Sequence, residues 1–479
     1  MTSTPLTLRV AIVGAGPAGI YAGNLLATAV DALRDVAPEA AEGQHPIESV
    51  EIDLFESLPA PYGLIRYGVA PDHPRIKGIV NSLHEMLDAQ IEGAARRTIR
   101  FIGNVEVGRD IALDELRERY HAVILATGAI RDAALDVPGV DLPGSYGAAD
   151  FVAWFDGHPD VARTWPLDAR SVAVIGNGNV ALDVARVLAK HAEDLRSTEI
   201  PDNVLAGLEA SAVADVHVFG RRGPAGIKFT PIELRELGEV PGVDVVLYDE
   251  DFEGVDPADA PNNQMKVMLR TLNSWRGRPA GTASRRLHLH FWHAPVAIEG
   301  EGRVSGIRFE RTRAGADGAL ERTGEVREYD VQAVYRAVGY YGTRVVGAPF
   351  DEAHGVVPNE GGRVVGEPGL YATGWIKRGP VGLIGHTKSD ALETVTNLIA
   401  DAGAGVLGNA GSLAAPGRAG DVLDLLDERE TAYTTWDGWL ALDARERALG
   451  ESHVHTRERV KVVPREEQVA VSRDGVLVR

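Results

Sequence analysis

The stretch LRVAIVGAGPAG, residues 8–19, decides the fold. An apolar β-type run, residues 8–13, ends at Gly14 and leads through Gly16, Pro17 and Ala18 to Gly19, where a helix can begin. In a strand–turn–helix unit the first glycine permits the tight turn and the second lets the backbone approach a pyrophosphate. The third allows close packing of helix on strand. The helix N-terminus then offers unpaired N–H groups and a positive dipole end to the phosphates. A second unit repeats the plan: residues 171–175 form another apolar run, succeeded by Gly176, Asn177, Gly178, Asn179, Val180 and the small Ala181. Two such units in one chain predict two bound dinucleotides.

The residues downstream of each unit distinguish the two nucleotides. After the first, a strand over residues 50–55 ends at Glu56, where an acid binds a ribose hydroxyl pair. Glu56 lies 37 residues beyond Gly19, against the roughly 20 usual for the motif. The surplus falls in residues 31–46, rich in Ala, Asp, Glu and Pro, which read as a surface extension of the helix or of the loop after it. After the second unit, a helix over 180–190 and a strand over 216–219 lead to Gly220-Arg221-Arg222-Gly223. Two guanidinium groups in place of an acid suit a 2′-phosphate through charge-assisted, often bidentate bonds, so this site should prefer NADP(H) to NAD(H).

Composition narrows the chemistry. The 479 residues, 44% hydrophobic and 25% charged, are enough for two or three ordinary globular domains. A net charge of −20 argues against nucleic acid or an anionic membrane as partner, since both need a cationic footprint. The chain has no cysteine, which excludes disulfides, a redox-active dithiol, thiolate zinc sites and cysteine-held iron–sulfur clusters. No apolar stretch is long enough to cross a bilayer and nothing marks secretion or import, so a bacterial cytoplasm is the expected location. Alternation places His288 and His290 on one strand face near His293, but without a cysteine or acid cluster they read as polar-face residues and no metal is expected.

Between the fingerprints the chain reads as an irregular Pro/Gly-rich loop over 58–74, helices over 79–91 and 113–120, and a buried strand ending at Thr127-Gly128, where a cofactor can come close. Residues 245–338 read as mostly β with polar loops. Residues 370–373 read as a strand, then a Gly-rich loop and a helix from about Ser389. A Gly/Ala-rich linker over 402–420 precedes a helix over 422–430.

Seven motifs stand in order along the chain: GAGPAG (14–19), GLIRYGVAPDHPRIK (63–77), GNVEVGRD (103–110), VIGNGNVALDVAR (174–186), GRRGP (220–224), FTPIELREL (229–237) and GWIKRGPVGLIG (374–385). Through them the chain resembles the adrenodoxin reductase-type ferredoxin–NADP reductases, nearest to their actinobacterial ferredoxin reductases. The departures are the 31–46 insertion and His386, where the family often carries a small polar residue. The resemblance implies an α/β architecture of two Rossmann-like domains, with an NADP domain (131–345) inserted into a discontinuous FAD domain (1–130 and 346–479). It places FAD at the first fingerprint (Gly14, Gly16, Pro17, Ala18, Gly19) and at Glu56, Leu64 and Val107, with Trp375, Gly382, Leu383 and Ile384 near the flavin ring. It places NADP at Arg131, Asn177, Gly178, Asn179, Val180, Arg221, Arg222 and Glu233, with Gly382 also close to the nicotinamide, and makes His73 and Glu236 the active-site pair.

The implied chemistry is hydride transfer from NADPH to the flavin, then single-electron transfers to a ferredoxin-type iron–sulfur protein. Ferredoxins are typically acidic, so an acidic reductase needs a local basic patch, expected from Lys228, Arg235, Lys377 and Arg378. The missing cysteines exclude a thioredoxin reductase. Another NADPH-dependent flavoenzyme (a diaphorase or monooxygenase) and a non-catalytic FAD/NADP-binding redox sensor remain as alternatives.

Overall fold

The computed structural model describes residues 6–36, 47–91, 98–276, 278, 281–382, 384–407 and 420–474. Among these, a seven-stranded sheet takes strands from both ends of the chain. Its order is Asn359–Glu360, Arg363–Val364, Leu370–Ala372, Ala122–Leu125, Leu6–Val13, Ile47–Phe55, Ile99–Ile102. The five strands from Leu370–Ala372 to Ile99–Ile102 pair in parallel. Such a sheet is covered on both faces, which is why its central strand is apolar almost throughout. Leu8, Val10 and Ile12 enter one core with the helices Pro17–Val36, Ile79–Ile91 and Ile384–Gly403. Ala11 and Val13 enter the opposite core with Leu113–Arg119 and Val422–Glu428.

A six-stranded parallel sheet is built from the residues between: Ser145–Gly147, Ala333–Arg336, Ser171–Ile175, Asp215–Phe219, Arg285–His290, Val243–Leu247. Val172 and Val174 face the helices Ala148–Phe155, Asn179–Ala189 and Asp202–Glu209. Ala173 and Ile175 face a three-stranded antiparallel sheet, His293–Glu299, Gly306–Ala314 and Leu320–Tyr329, through Ile298, Ile307 and Phe309. The chain crosses between the two large sheets at the antiparallel pair Arg131–Asp132 and Tyr340–Tyr341.

One expectation narrows and two change. The first helix continues to Val36, so the start of the 31–46 insertion is helical, while residues 37–46 lie outside the described residues. The 245–338 region holds the helix Asn263–Arg276, whose buried Met268, Leu269, Leu272 and Trp275 keep helical spacing. The last Gly-rich loop passes into a helix already at Ile384, ahead of Ser389, because Gly385 is accommodated in its first turn. Leu383 and most of the 402–420 linker lie outside the described residues.

Candidate active site and nucleotide cradles

Both fingerprints stand at the end of their sheet's first central strand, beside the strand where the order reverses. Gly14 has φ +110°, donates its N–H to the Phe55 carbonyl at 2.8 Å, and leaves a would-be Cβ only 2.5 Å from the Ala126 oxygen. Gly176 repeats this: φ +152°, a bond to the Phe219 carbonyl at 3.0 Å, and a would-be Cβ 2.2 Å from the Ala337 oxygen. In each, the carbonyl across the topological switch point admits only glycine, and such crevices are where open α/β sheets bind ligands. Gly128 and Gly178 border open space. The Thr127 hydroxyl and the Asn177 side-chain nitrogen are buried without a hydrogen-bond partner among the described residues. Each orphan costs about 1–3 kcal/mol, which a polar ligand in the crevice would recover, so both cradles fit a dinucleotide.

Pro17 opens the first helix, and Ala18 faces Gly374, where an added Cβ would lie 2.6 Å from the Ala18 methyl. Gly16 lies against Gly63, so the short helix Leu64–Tyr67 springs directly from the cradle wall. Glu56 is buried at the end of Ile47–Phe55. It accepts from the Ala15 N–H at 2.9 Å, the Leu58 N–H at 3.2 Å and the Ser57 hydroxyl at 3.1 Å. Burial raises its pKa against those bonds. Val107 is buried beside Ile111, Trp375 is half-buried, and Gly382 is exposed at φ +90° next to the His386 ring. Leu383 and the side chain of Ile384 are outside the described residues.

In the second cradle the Asn177 carbonyl accepts from the Lys228 N–H and the Asn179 side-chain oxygen from the Thr230 N–H, both at 3.0 Å. Val180 is partly buried against the second core. Arg221 and Arg222 succeed Asp215–Phe219 as expected, their carbonyls held by the Thr312 hydroxyl at 2.7 Å and the Trp292 N–H at 3.2 Å, their side chains exposed. Arg131 lies on the crossover pair, 3.8 Å from Glu352.

Between the cradles the structure gathers His73, Glu233 and Glu236. His73 lies 2.8 Å from Asp183 and 3.3 Å from Glu233 through Nε2, and 2.9 Å from Glu236 through Nδ1. The last is an ion-pair distance without hydrogen-bond alignment, since that Glu236 oxygen has no hydrogen-bond partner among the described residues. Arg186, fully buried, reaches Asp72 at 2.8 Å, Asp183 at 2.7 Å, Glu233 at 3.3 Å and the His73 Nε2 at 2.6 Å. Burial and Arg186 oppose a charged imidazole, yet the Asp183 and Glu233 carboxylates outweigh them and push the His73 pKa up to about 10. Burial also raises the Glu236 carboxyl, partly offset by His73. Burial works against a charged Asp72 as well, but Arg186 and Lys190 hold it well below the ordinary range. His73, Glu233 and Glu236 could together ligate a cation, but Arg186 already supplies the positive charge at this point.

The structure shows where three groups of named residues lie. The Glu233 carboxylate turns into this cluster, where buried Arg186 and His73 each lie 3.3 Å from it. Lys377 is buried and pairs with Asp390 at 2.8 Å and Glu393 at 2.6 Å, so it is not a free docking charge, and Arg378 is half-buried beside Asp390 at 3.6 Å. His288, His290 and His293 are interior rather than solvated. Their face is roofed by the antiparallel sheet, and their polar atoms are satisfied by Asp215, Tyr248, His217 and Tyr329. Sequence reading missed Asp72, Asp183, Arg186 and Lys190. The Asp183/Arg186 spacing, three apart on one helix face, was the available signal.

A family model described as pyridine nucleotide-disulphide oxidoreductase matches residues 8–219. The chain is 40% identical over 460 residues to the NADPH-ferredoxin reductase FprA of Mycobacterium tuberculosis, covering 95% of this chain and 96% of that protein. It is 37% identical over 472 residues to the human mitochondrial NADPH:adrenodoxin oxidoreductase, covering 95% and 90%. The solved structure of M. tuberculosis FprA in complex with NADPH superposes with a TM-score of 0.87 at 38% identity, covering 98% of this chain and all of that one. With similarity at 37–40% identity over nearly the whole length of both chains, the chain belongs to the family of NADPH-ferredoxin reductases and NADPH:adrenodoxin oxidoreductases.

Proposed function

We propose that this protein is an FAD-dependent ferredoxin–NADP reductase that moves electrons from NADPH to a ferredoxin- or adrenodoxin-type iron–sulfur protein. The observation that carries the reading is the 40% identity to an NADPH-ferredoxin reductase over 95% of the chain. The Gly14 cradle, with Glu56 at its strand end, is assigned to FAD, and the Gly176 cradle, with Arg221 and Arg222 beyond it, to NADP(H). Sheet membership supports a division into 1–130 plus 346–479 with 131–345 inserted, the crossover pair lying at its seams.

When bound, FAD supplies acceptance of a hydride and release of single electrons. The chain's own work is placement and proton control. Its glycine turns let backbone N–H groups reach two pyrophosphates, Glu56 takes ribose hydroxyls, and the arginines take a 2′-phosphate. His73 and Glu236, 2.9 Å apart, shape the nicotinamide site and hold a proton between a charged imidazole and a carboxyl raised by burial. Of the four named docking charges, Lys228 and Arg235 are the exposed ones. Among the described residues no helix is long and apolar enough to cross a membrane, and a cytoplasmic location belongs to this reading.

The test is optical. The purified protein should be yellow, and its flavin absorbance should bleach anaerobically with NADPH far faster than with NADH. Arg221→Ala combined with Arg222→Ala should remove that preference. Flavin left oxidised by NADPH would sink the enzyme reading.

A further inference from the structure

A cavity of about 370 Å³ opens between the segment just after Asp215–Phe219 and the start of the helix Asn263–Arg276. Arg222 and Lys228 line it, with Phe229 beside them and Asn262, Gln264 and Met265 opposite. Among the described residues no carboxylate stands in its wall, in a chain whose net charge is −20. Both cationic side chains are exposed and neither has a side-chain partner among the described residues. Two like charges on one cavity repel unless an anion lies between them.

The placement is held by backbone. The Lys228 N–H donates to the Asn177 carbonyl at 3.0 Å, tying this residue to the second fingerprint. The Arg222 stem rests on Gly226, where an added Cβ would come within 2.8 Å of it. The cavity therefore lies past the end of the second strand of a Rossmann-type unit, where the adenosine ribose of a bound dinucleotide falls.

We propose that Lys228 is a specificity-determining residue that binds the 2′-phosphate of NADP(H) together with Arg222, rather than a docking charge for the iron–sulfur partner. The inference rests on the assignment of the Gly176 cradle to NADP(H). The ligand chemistry is a phosphate monoester dianion on the ribose of an adenine nucleotide, for which a lysine acts as a point charge beside a guanidinium fork.

The test is calorimetric titration of the flavin-loaded protein with 2′,5′-ADP and, separately, 5′-AMP, on wild type, Lys228→Gln and Lys228→Arg. Lys228→Gln should weaken 2′,5′-ADP by about tenfold while leaving 5′-AMP unchanged, and Lys228→Arg should restore most of the loss. In steady state the KM for NADPH should rise with kcat and the KM for ferredoxin unchanged. A Lys228→Gln protein that discriminates as well as wild type, or that shifts only the KM for ferredoxin, overturns the role given to Lys228. A wild type that binds both nucleotides equally overturns the NADP assignment itself, and this inference with it.

Discussion

His73 carries the electrostatics of the site at the scale of one side chain. It is buried among Asp183, Glu233 and Glu236, and its pKa, pushed up to about 10, lies above the ordinary value near 6.5. The stability this imidazolium contributes is therefore fully present below about pH 6.5 and is lost as pH rises through about 10. NADPH-dependent ferredoxin reduction should fall along a limb near that upper value. His73→Gln should lack the limb and run slower at neutral pH by about ten- to a hundredfold through misplacement of the nicotinamide, as read from the pH profile of kcat/KM. His73 and Glu236 were legible through motif resemblance. Arg186 was not, because an arginine on an amphipathic helix ordinarily reads as solvated, and only the approach of Asp72 from a distant loop makes it the centre of a buried cluster.

Across elements, the two glycine turns are one device used twice, and they should fail separately. Gly14→Ala drives a methyl toward the Ala126 carbonyl, and Gly176→Ala drives one toward the Ala337 carbonyl. Each also forces a positive φ on a residue with a Cβ, a strain of about 1–3 kcal/mol. Gly14→Ala should purify with little flavin. Gly176→Ala should keep its flavin and show a raised KM for NADPH, and equal flavin loss in both variants would contradict the separate cradles. These turns were readable because strand, glycine and helix are contiguous in sequence. The helix Asn263–Arg276 was not, although its Met268, Leu269, Leu272 and Trp275 carry helical spacing, because it is a single helix among β runs. Its anchor is distant: the Trp275 ring lies against Gly238, at the end of Pro231–Gly238.

In the whole molecule, the stacked histidines beneath the antiparallel sheet set the response to acid. Burial lowers His217 to about 3 and His293 to about 4, and lowers His288 and His290 as well. They stay neutral in the fold but take up protons once unfolded, so stability is present above about pH 6.5 and lost as pH falls below it. Each contributes up to about 1.4 kcal/mol per pH unit. The thermal midpoint should drop steeply from about pH 7 to about pH 5, with proton uptake on unfolding, and a flat midpoint would refute this. The C-terminal segment binds the assembly together: Arg457 donates to the Ile200 carbonyl at 2.8 Å, and Lys461 lies 3.1 Å from Glu199 and 2.7 Å from the Arg66 carbonyl. The sequence by itself determined two glycine-turn cradles and the different residues that follow them, an acid after one and two arginines after the other, and it excluded thiol chemistry, since these depend on residues adjacent in the chain or on composition. Only the tertiary structure decided that Glu233 serves His73 and Arg186, that Lys377 is spent on Asp390 and Glu393, and that Lys228 shares a cavity with Arg222. Which charges neutralise one another depends on distances between segments far apart in sequence, and burial then fixes how much each pairing matters.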